Sequence, residues 1–222
     1  MYALHQLARY TAYPKEESLE CMNQLLGYLK NTPAVKRIFY KSRDNETNQL
    51  VAVTDASFAT STRGRSVGGS FTYWNQSLIN ATSITQRSTA TSAPEAELYE
   101  VLSSTKGLMS VRGISRDFAA KTTQLAILTD SLSTVGTLHN PTSPRYSYLS
   151  IVINFIRVQV EAGILKVVHL PRDQNFADVL TKQPTVREFQ DQIEKATSPF
   201  IWKHKRQGNG VRVNANHLIE SR

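Results

Sequence analysis

Two apolar runs in this chain end alike, in Thr, then Asp, then a small residue. They are Leu50-Val51-Ala52-Val53-Thr54-Asp55-Ala56 and Leu125-Ala126-Ile127-Leu128-Thr129-Asp130-Ser131. Runs of this length and composition predict buried strands. Parallel central strands present their functional groups at their C-terminal ends, so neighbouring strands would set Asp55 and Asp130 edge to edge. Two carboxylates at that separation do not both stay ionised unaided; one takes a proton, or a cation sits between them. In a chain of net charge +8, the pattern points to a metal-dependent site acting on something anionic.

The 222 residues suit one domain with extensions and supply enough chain for a core. No apolar stretch approaches the roughly 20 residues a membrane helix needs. Met1 to Tyr13 is broken by His5 and Arg9 and lacks the apolar centre of a secretory signal. Cys21 stands alone, which excludes an internal disulfide and a cysteine-based zinc site, and an intracellular chain without membrane attachment is expected. The sequence pI of 9.6 favours polyanionic partners such as nucleic acid. Much of that charge belongs to the end of the chain, where Lys203, Lys205, Arg206, Arg212 and Arg222 crowd together.

Three regions are expected. Residues 1–45 read as helical, with Leu19, Met22, Leu25, Leu26 and Leu29 near a 3.6 period and Pro33 closing the pattern. Residues 50–192 read as a domain with the order β-β-β-α-β-α-α-β-α, a mixed sheet with helices. Its hairpin is Ser66 to Tyr73 and Leu78 to Thr82, and its first long helix carries Leu98, Val101, Leu102, Leu108 and Met109 on one face. Residues 197–222 read as a basic, mobile tail with Phe200-Ile201-Trp202 as an anchor.

A two-metal nuclease site needs several carboxylates converging from separate elements on ions roughly 4 Å apart. Hard oxygen ligands suit Mg²⁺. Asp55 and Asp130 supply two, and a third is expected from the helix opened by Ser92-Ala93-Pro94-Glu95-Ala96-Glu97. Ser92 and Glu95 have capping-box spacing, which makes Glu95 a helix-start residue by default. Glu100 points away from the apolar stripe, with solvent as its default. Glu95 and Glu97 flank the stripe on opposite sides, and periodicity leaves them rivals. Asp173 and Asp178 compete for a fourth place: Asp173 suits an N-cap, whereas Asp178 between Phe176 and Leu180 needs a partner or an ion.

These residues carry a family resemblance. Thr54-Asp55-Ala56-Ser57, Ser66 to Gly68 with Gln86, Ser92-Ala93-Pro94-Glu95-Ala96-Glu97-Leu98, Leu128-Thr129-Asp130-Ser131 and Asn175-Phe176-Ala177-Asp178-Val179-Leu180-Thr181-Lys182 occur in order. Together they resemble the ribonuclease H domain of copia-type LTR-retrotransposon Pol polyproteins. The stretch through Leu26-Gly27-Tyr28-Leu29-Lys30 resembles that family's link to the reverse-transcriptase region. The resemblance implies an α/β, ribonuclease H-like fold: a mixed five-stranded sheet flanked by helices, with a helical N-terminal extension. It implies Asp55, Glu97, Asp130 and Asp178 as catalytic metal ligands, two Mg²⁺ ions with Mn²⁺ as a substitute, and cleavage of the RNA strand of RNA–DNA hybrids during reverse transcription. The implied setting is a cytoplasmic particle or the nucleus, with the reverse-transcriptase region of a Pol protein as partner. Family members of this kind recognise hybrid shape and the 2′-OH rather than base sequence.

Ser57, Arg63, Arg65, Arg87, Ser131 and Arg157 are candidates for substrate contact, with solvated surface charge as the default for each Arg. Two departures stand against full activity. His169 precedes Asp178 by the spacing of a catalytic loop His in cellular relatives, but it reads as the end of a strand. The helix from Tyr148 has Tyr148, Val152 and Asn154 where the family often places basic or His residues, while Arg157 is kept. The chain also carries no Tyr-x-Asp-Asp polymerase motif and is expected not to polymerise DNA by itself. The competing expectation is a catalytically inactive Pol remnant that binds nucleic acid or a partner polymerase.

Overall fold

The computed structural model describes residues 1–32, 38–41, 48–61, 64–117, 123–140 and 148–200. Strand β1 (Asn48–Ser57) is buried almost throughout, as its unbroken apolar run requires for a strand covered on both faces. It pairs antiparallel with β2 (Val67–Trp74), which pairs antiparallel with β3 (Ser77–Thr85). The β2–β3 turn uses Asn75 at φ 53°, a left-handed conformation that Asn tolerates. Its side-chain oxygen accepts a 2.8 Å hydrogen bond from the Gln49 amide, which ties the hairpin to β1.

On its other edge β1 runs parallel to β4 (Thr123–Thr129), and β4 runs parallel to β5 (Leu165–His169). The sheet order is β3-β2-β1-β4-β5. Antiparallel hairpin strands on one side and parallel strands on the other make the mixed, helix-flanked five-stranded sheet that was expected. Helix α3 (Ala93–Asp117) crosses from β3 to β4, and α4 (Leu132–His139) and α5 (Ser150–Glu161) cross from β4 to β5. The N-terminal extension is α1 (Tyr2–Ala8) and α2 (Glu16–Asn31).

Alternation along the strands divides the core in two. Leu50, Ala52 and Ile127 face Leu98, Val101 and Leu108 of α3 and Ile153 and Ile156 of α5. Val51, Val53, Phe71 and Tyr73 face Phe176, Leu180, Ala196 and Phe200 on the opposite side. Each fully buried Leu, Ile or Phe side chain contributes about 1.5–3 kcal/mol. The second core is closed by α6 (Val186–Thr197), a helix the sequence reading does not place. The Tyr73 hydroxyl donates to the Ala196 carbonyl at 2.8 Å, and its ring stacks on Phe200 at 4.4 Å. Residues 201–222, including Ile201 and Trp202 of the expected anchor, lie outside the described residues.

The expected short helix near Asp173 is instead two 3₁₀ turns, Arg172–Gln174 and Phe176–Leu180. Asp173 lies inside the first turn, whose N-cap is Pro171, so it is not the N-cap expected. Asn175 separates the turns. Its side chain accepts from the Ala177 amide at 3.1 Å and donates to the Thr54 carbonyl at 3.0 Å. One asparagine thus ends one turn, starts the next and docks both on the end of β1.

Candidate active site

The β1–β4 register pairs Thr54 with Thr129, so Asp55 and Asp130 leave adjacent parallel strands side by side. Helix α3 brings Glu97 across the same strand ends. Its carboxylate accepts the Ala56 amide at 3.2 Å and the Thr129 hydroxyl at 3.5 Å. One carboxylate oxygen from each of Asp55, Glu97 and Asp130 lies within 4.8 Å of the other two. The second 3₁₀ turn adds Asp178 beside them. Lys182, four residues on, donates to Asp178 Oδ1 at 2.7 Å and stands 3.6 Å from Asp55 Oδ2. The Thr181 hydroxyl donates a short hydrogen bond to the same Asp55 oxygen.

This grouping is electrostatically costly. Burial pushes Asp55 up to about 7, with Asp178 adding to the rise and Lys182 and Thr181 opposing it. Burial also pushes Glu97 up to about 9, helped by the charges of Asp55 and Asp130. Asp130 is raised by burial and by Asp178, against Lys182 and Arg172. Like charges held together in a desolvated cleft hold protons or bind a cation. Three converging oxygen donors with no sulfur or nitrogen ligand fit a hard divalent ion.

Glu95 stands apart from this group. Its Oε2 accepts the Thr91 amide and hydroxyl, both at 2.7 Å, and the Tyr148 hydroxyl at 2.9 Å. Burial works against its charge, but these bonds hold its carboxyl below the usual range. It ties the start of α3 to the residues just before α5. Glu100 corrects the expectation of a solvent-facing residue: it is only 2% exposed. The reason is Gly68 on β2, where an added Cβ would fall 1.9 Å from Glu100 Oε2; the missing side chain leaves the room Glu100 fills. Ser104 donates to its other oxygen at 3.3 Å, and burial pushes Glu100 up to about 8.

The remaining candidates are scattered. Ser57 ends β1 and is buried. Ser131 caps α4, accepting from the Thr134 amide at 3.2 Å. Arg65 and Arg87 are exposed, on the loops before β2 and after β3. Arg63 lies outside the described residues. The Arg157 guanidinium turns inward and donates to the Thr137 and Asn140 carbonyls, bracing α5 against the end of α4. His169 is the last residue of β5. Sequence reasoning quoted Thr181, Lys182 and Asn175 as part of the last motif but gave them no role. The Asp178–Lys182 spacing of four residues was the available signal for one of them.

No protein-family model matches the chain. It is similar to the Ty1-ER2 and Ty1-BL transposon Gag-Pol polyproteins of Saccharomyces cerevisiae, 27% identical to each over 192 residues. The alignment covers 85% of this chain, and the chain spans 11% of the length of those polyproteins. Among solved structures, LC11-RNase H1, isolated from compost, is 19% identical with a TM-score of 0.48, covering 68% of this chain and 99% of that one. RNase H1 from the archaeon Halobacterium salinarum is 15% identical with a TM-score of 0.42, covering 60% and 94%. The copia-type resemblance of the motifs and the similarity to the Ty1 polyproteins point the same way.

Proposed function

We propose that this chain is a retrotransposon ribonuclease H that hydrolyses the RNA strand of RNA–DNA hybrids. The observation that carries the proposal is the convergence of Asp55, Glu97 and Asp130 at the ends of β1, α3 and β4, with Asp178 beside them. In this reading those four side chains hold two Mg²⁺ ions, with Mn²⁺ as a substitute. The chemistry such ions supply is activation of a water and stabilisation of the leaving oxygen in phosphodiester hydrolysis.

The protein's own contribution is positioning. Asp55 and Asp130 are fixed by strand register, while Glu97 is oriented by the Ala56 amide and the Thr129 hydroxyl. Asp178 is carried by a turn that Asn175 docks on β1. Exposed Arg65 and Arg87, with Arg63, supply positive charge for the phosphates. Ser57 and Ser131, next to the two aspartates, are candidates for contact with the sugar edge.

The domain assignment proposed is a connection segment in residues 1–45, the ribonuclease H-like domain in 50–192 and a basic tail in 197–222. Leu19, Met22, Leu26 and Leu29 of α2 are exposed, which suits a segment that joins the reverse-transcriptase region of a Pol protein. The cellular setting proposed is a cytoplasmic particle or the nucleus. Among the described residues no helix is long and apolar enough to cross a membrane.

Incubation with an end-labelled RNA–DNA hybrid and Mg²⁺ tests the proposal. The RNA strand should shorten while the DNA strand stays intact and Asp55→Asn is silent. Salt-sensitive hybrid binding without turnover would favour the inactive remnant. Equal cleavage by the wild type and Asp55→Asn would remove the site assignment.

A further inference from the structure

Lys182 is a charged side chain at the site whose position the metal reading does not explain. Its ammonium lies 2.7 Å from Asp178 Oδ1 and 3.6 Å from Asp55 Oδ2, between an aspartate at the edge of the cleft and one that is 2% exposed. A divalent ion shared by these two carboxylates would sit about 2.1 Å from an oxygen of each. The ammonium already lies between these two carboxylates, so an ion entering there would meet a like charge at close range.

Among the described residues, no Lys or Arg forms an ion pair with Glu97 or Asp130. The cleft is therefore asymmetric. On the Asp178 side a tethered cation offsets the carboxylates, with Arg172 as a second positive charge close by. Asp55 shares the Lys182 ammonium with Asp178, whereas Glu97 and Asp130 have no ion-pair partner among the described residues. The Lys182 side chain is 40% exposed, so it can swing into solvent without disturbing the core.

We propose that Lys182 is a built-in competitor for the Asp55–Asp178 metal seat, making the two divalent-ion sites unequal. The first ion enters among Asp55, Glu97 and Asp130, and the second must displace the ammonium. The apo site is thereby kept from flying apart, and full occupancy is tied to a higher concentration of free metal. This inference rests on the proposed metal-dependent reading and deepens it.

Calorimetric titration of the whole chain with Mn²⁺, in the absence of nucleic acid, tests the idea without reference to activity. The wild type should show two unequal binding steps. Lys182→Met should tighten the weaker step by roughly tenfold or more, because an opposing unit charge is removed at close range. The same variant without metal should melt at a lower temperature, having lost the counter-charge. Lys182→Arg keeps the charge and should behave as the wild type in both respects. Wild-type binding that is lost in Asp130→Asn but unchanged or weakened in Lys182→Met would overturn the role of Lys182 and leave the metal site standing. A wild type that binds no Mn²⁺ at millimolar concentration would overturn both.

Discussion

Gly69→Ala isolates the contact that holds the fourth carboxylate in place. Gly69 lies opposite Asp55 in the β1–β2 register, and an added Cβ would meet Leu180 Cβ at 2.5 Å, Thr181 Cγ2 at 3.0 Å and the Leu180 carbonyl carbon at 3.3 Å. The obstacle is backbone and the first carbon of a buried side chain, so no rotamer change relieves it. Ordinary carbon contact requires the turn to retreat by roughly 1 Å. Leu180 is itself pinned, since its carbonyl accepts the Ser83 hydroxyl at 2.6 Å. Overpacking of this kind costs about 1–3 kcal/mol. For a domain of this size the melting temperature should fall by about 2–12 °C. The retreat carries Thr181, Lys182 and Asp178 away from Asp55, and a 1 Å misplacement of reacting groups costs about a hundredfold in rate. Gly107→Ala is the matched control: it lies in α3 with nothing within 4 Å of the added carbon, and should stabilise by about 0.5–1 kcal/mol. Thermal melts and hybrid-cleavage rates read both effects. A Gly69→Ala protein that melts and cleaves as the wild type would refute the close approach.

Apo stability should decline with pH. Asp55, Glu97 and Glu100 keep protons in the fold up to about 7, 9 and 8, against ordinary values of 3.8, 4.5 and 4.5. Between those limits the unfolded chain is the more ionised, so stability is full below the ordinary values and is lost as pH rises through the folded ones. Urea midpoints measured from pH 4 to 9 without metal should fall, and added Mg²⁺ should flatten the slope; a rise with pH would contradict the raised carboxyls. Glu100→Gln, neutral at every pH, should change stability near pH 5 by less than about 1 kcal/mol and reduce that slope. An unchanged slope would assign the whole effect to the other acids. Thr185→Ala breaks the capping box of α6, in which Thr185 and Glu188 bond reciprocally, and should cost about 1 kcal/mol in chemical denaturation. No loss would mean that the start of α6 contributes nothing to the second core.

The sheet was legible because strands buried on both faces must be written as unbroken apolar runs, and β1 and β4 are. The hairpin followed from two runs separated by Asn75 and its neighbours. Periodicity could not rank Glu95 against Glu97, since both flank the stripe of α3; the difference lies in tertiary partners, Thr91 and Tyr148 for one and Ala56 and Thr129 for the other. Glu100 was misplaced for a related reason. Helical spacing showed that it left the main stripe, but not that β2 approaches that face. The Gly68-Gly69 pair was the available sign, because glycine inside a strand often marks close approach. Helix α6 was overlooked although Thr185 and Glu188 have capping-box spacing, since its apolar residues Phe189, Ile193 and Ala196 are few. The four-residue spacing hinted at the pairing of Lys182 with Asp178, but the contacts of Lys182 and Thr181 with Asp55 depend on the turn folding against β1, which no local pattern encodes.

The central claim is that Asp55, Glu97, Asp130 and Asp178 form one divalent-metal site. Anomalous diffraction from crystals grown with Mn²⁺ tests it most directly. The account predicts a peak at coordination distance from oxygens of Asp55, Glu97 and Asp130, with a weaker second peak on the Asp178 side that strengthens in Lys182→Met. Ordered Mn²⁺ bound elsewhere, with none among those carboxylates, would contradict it.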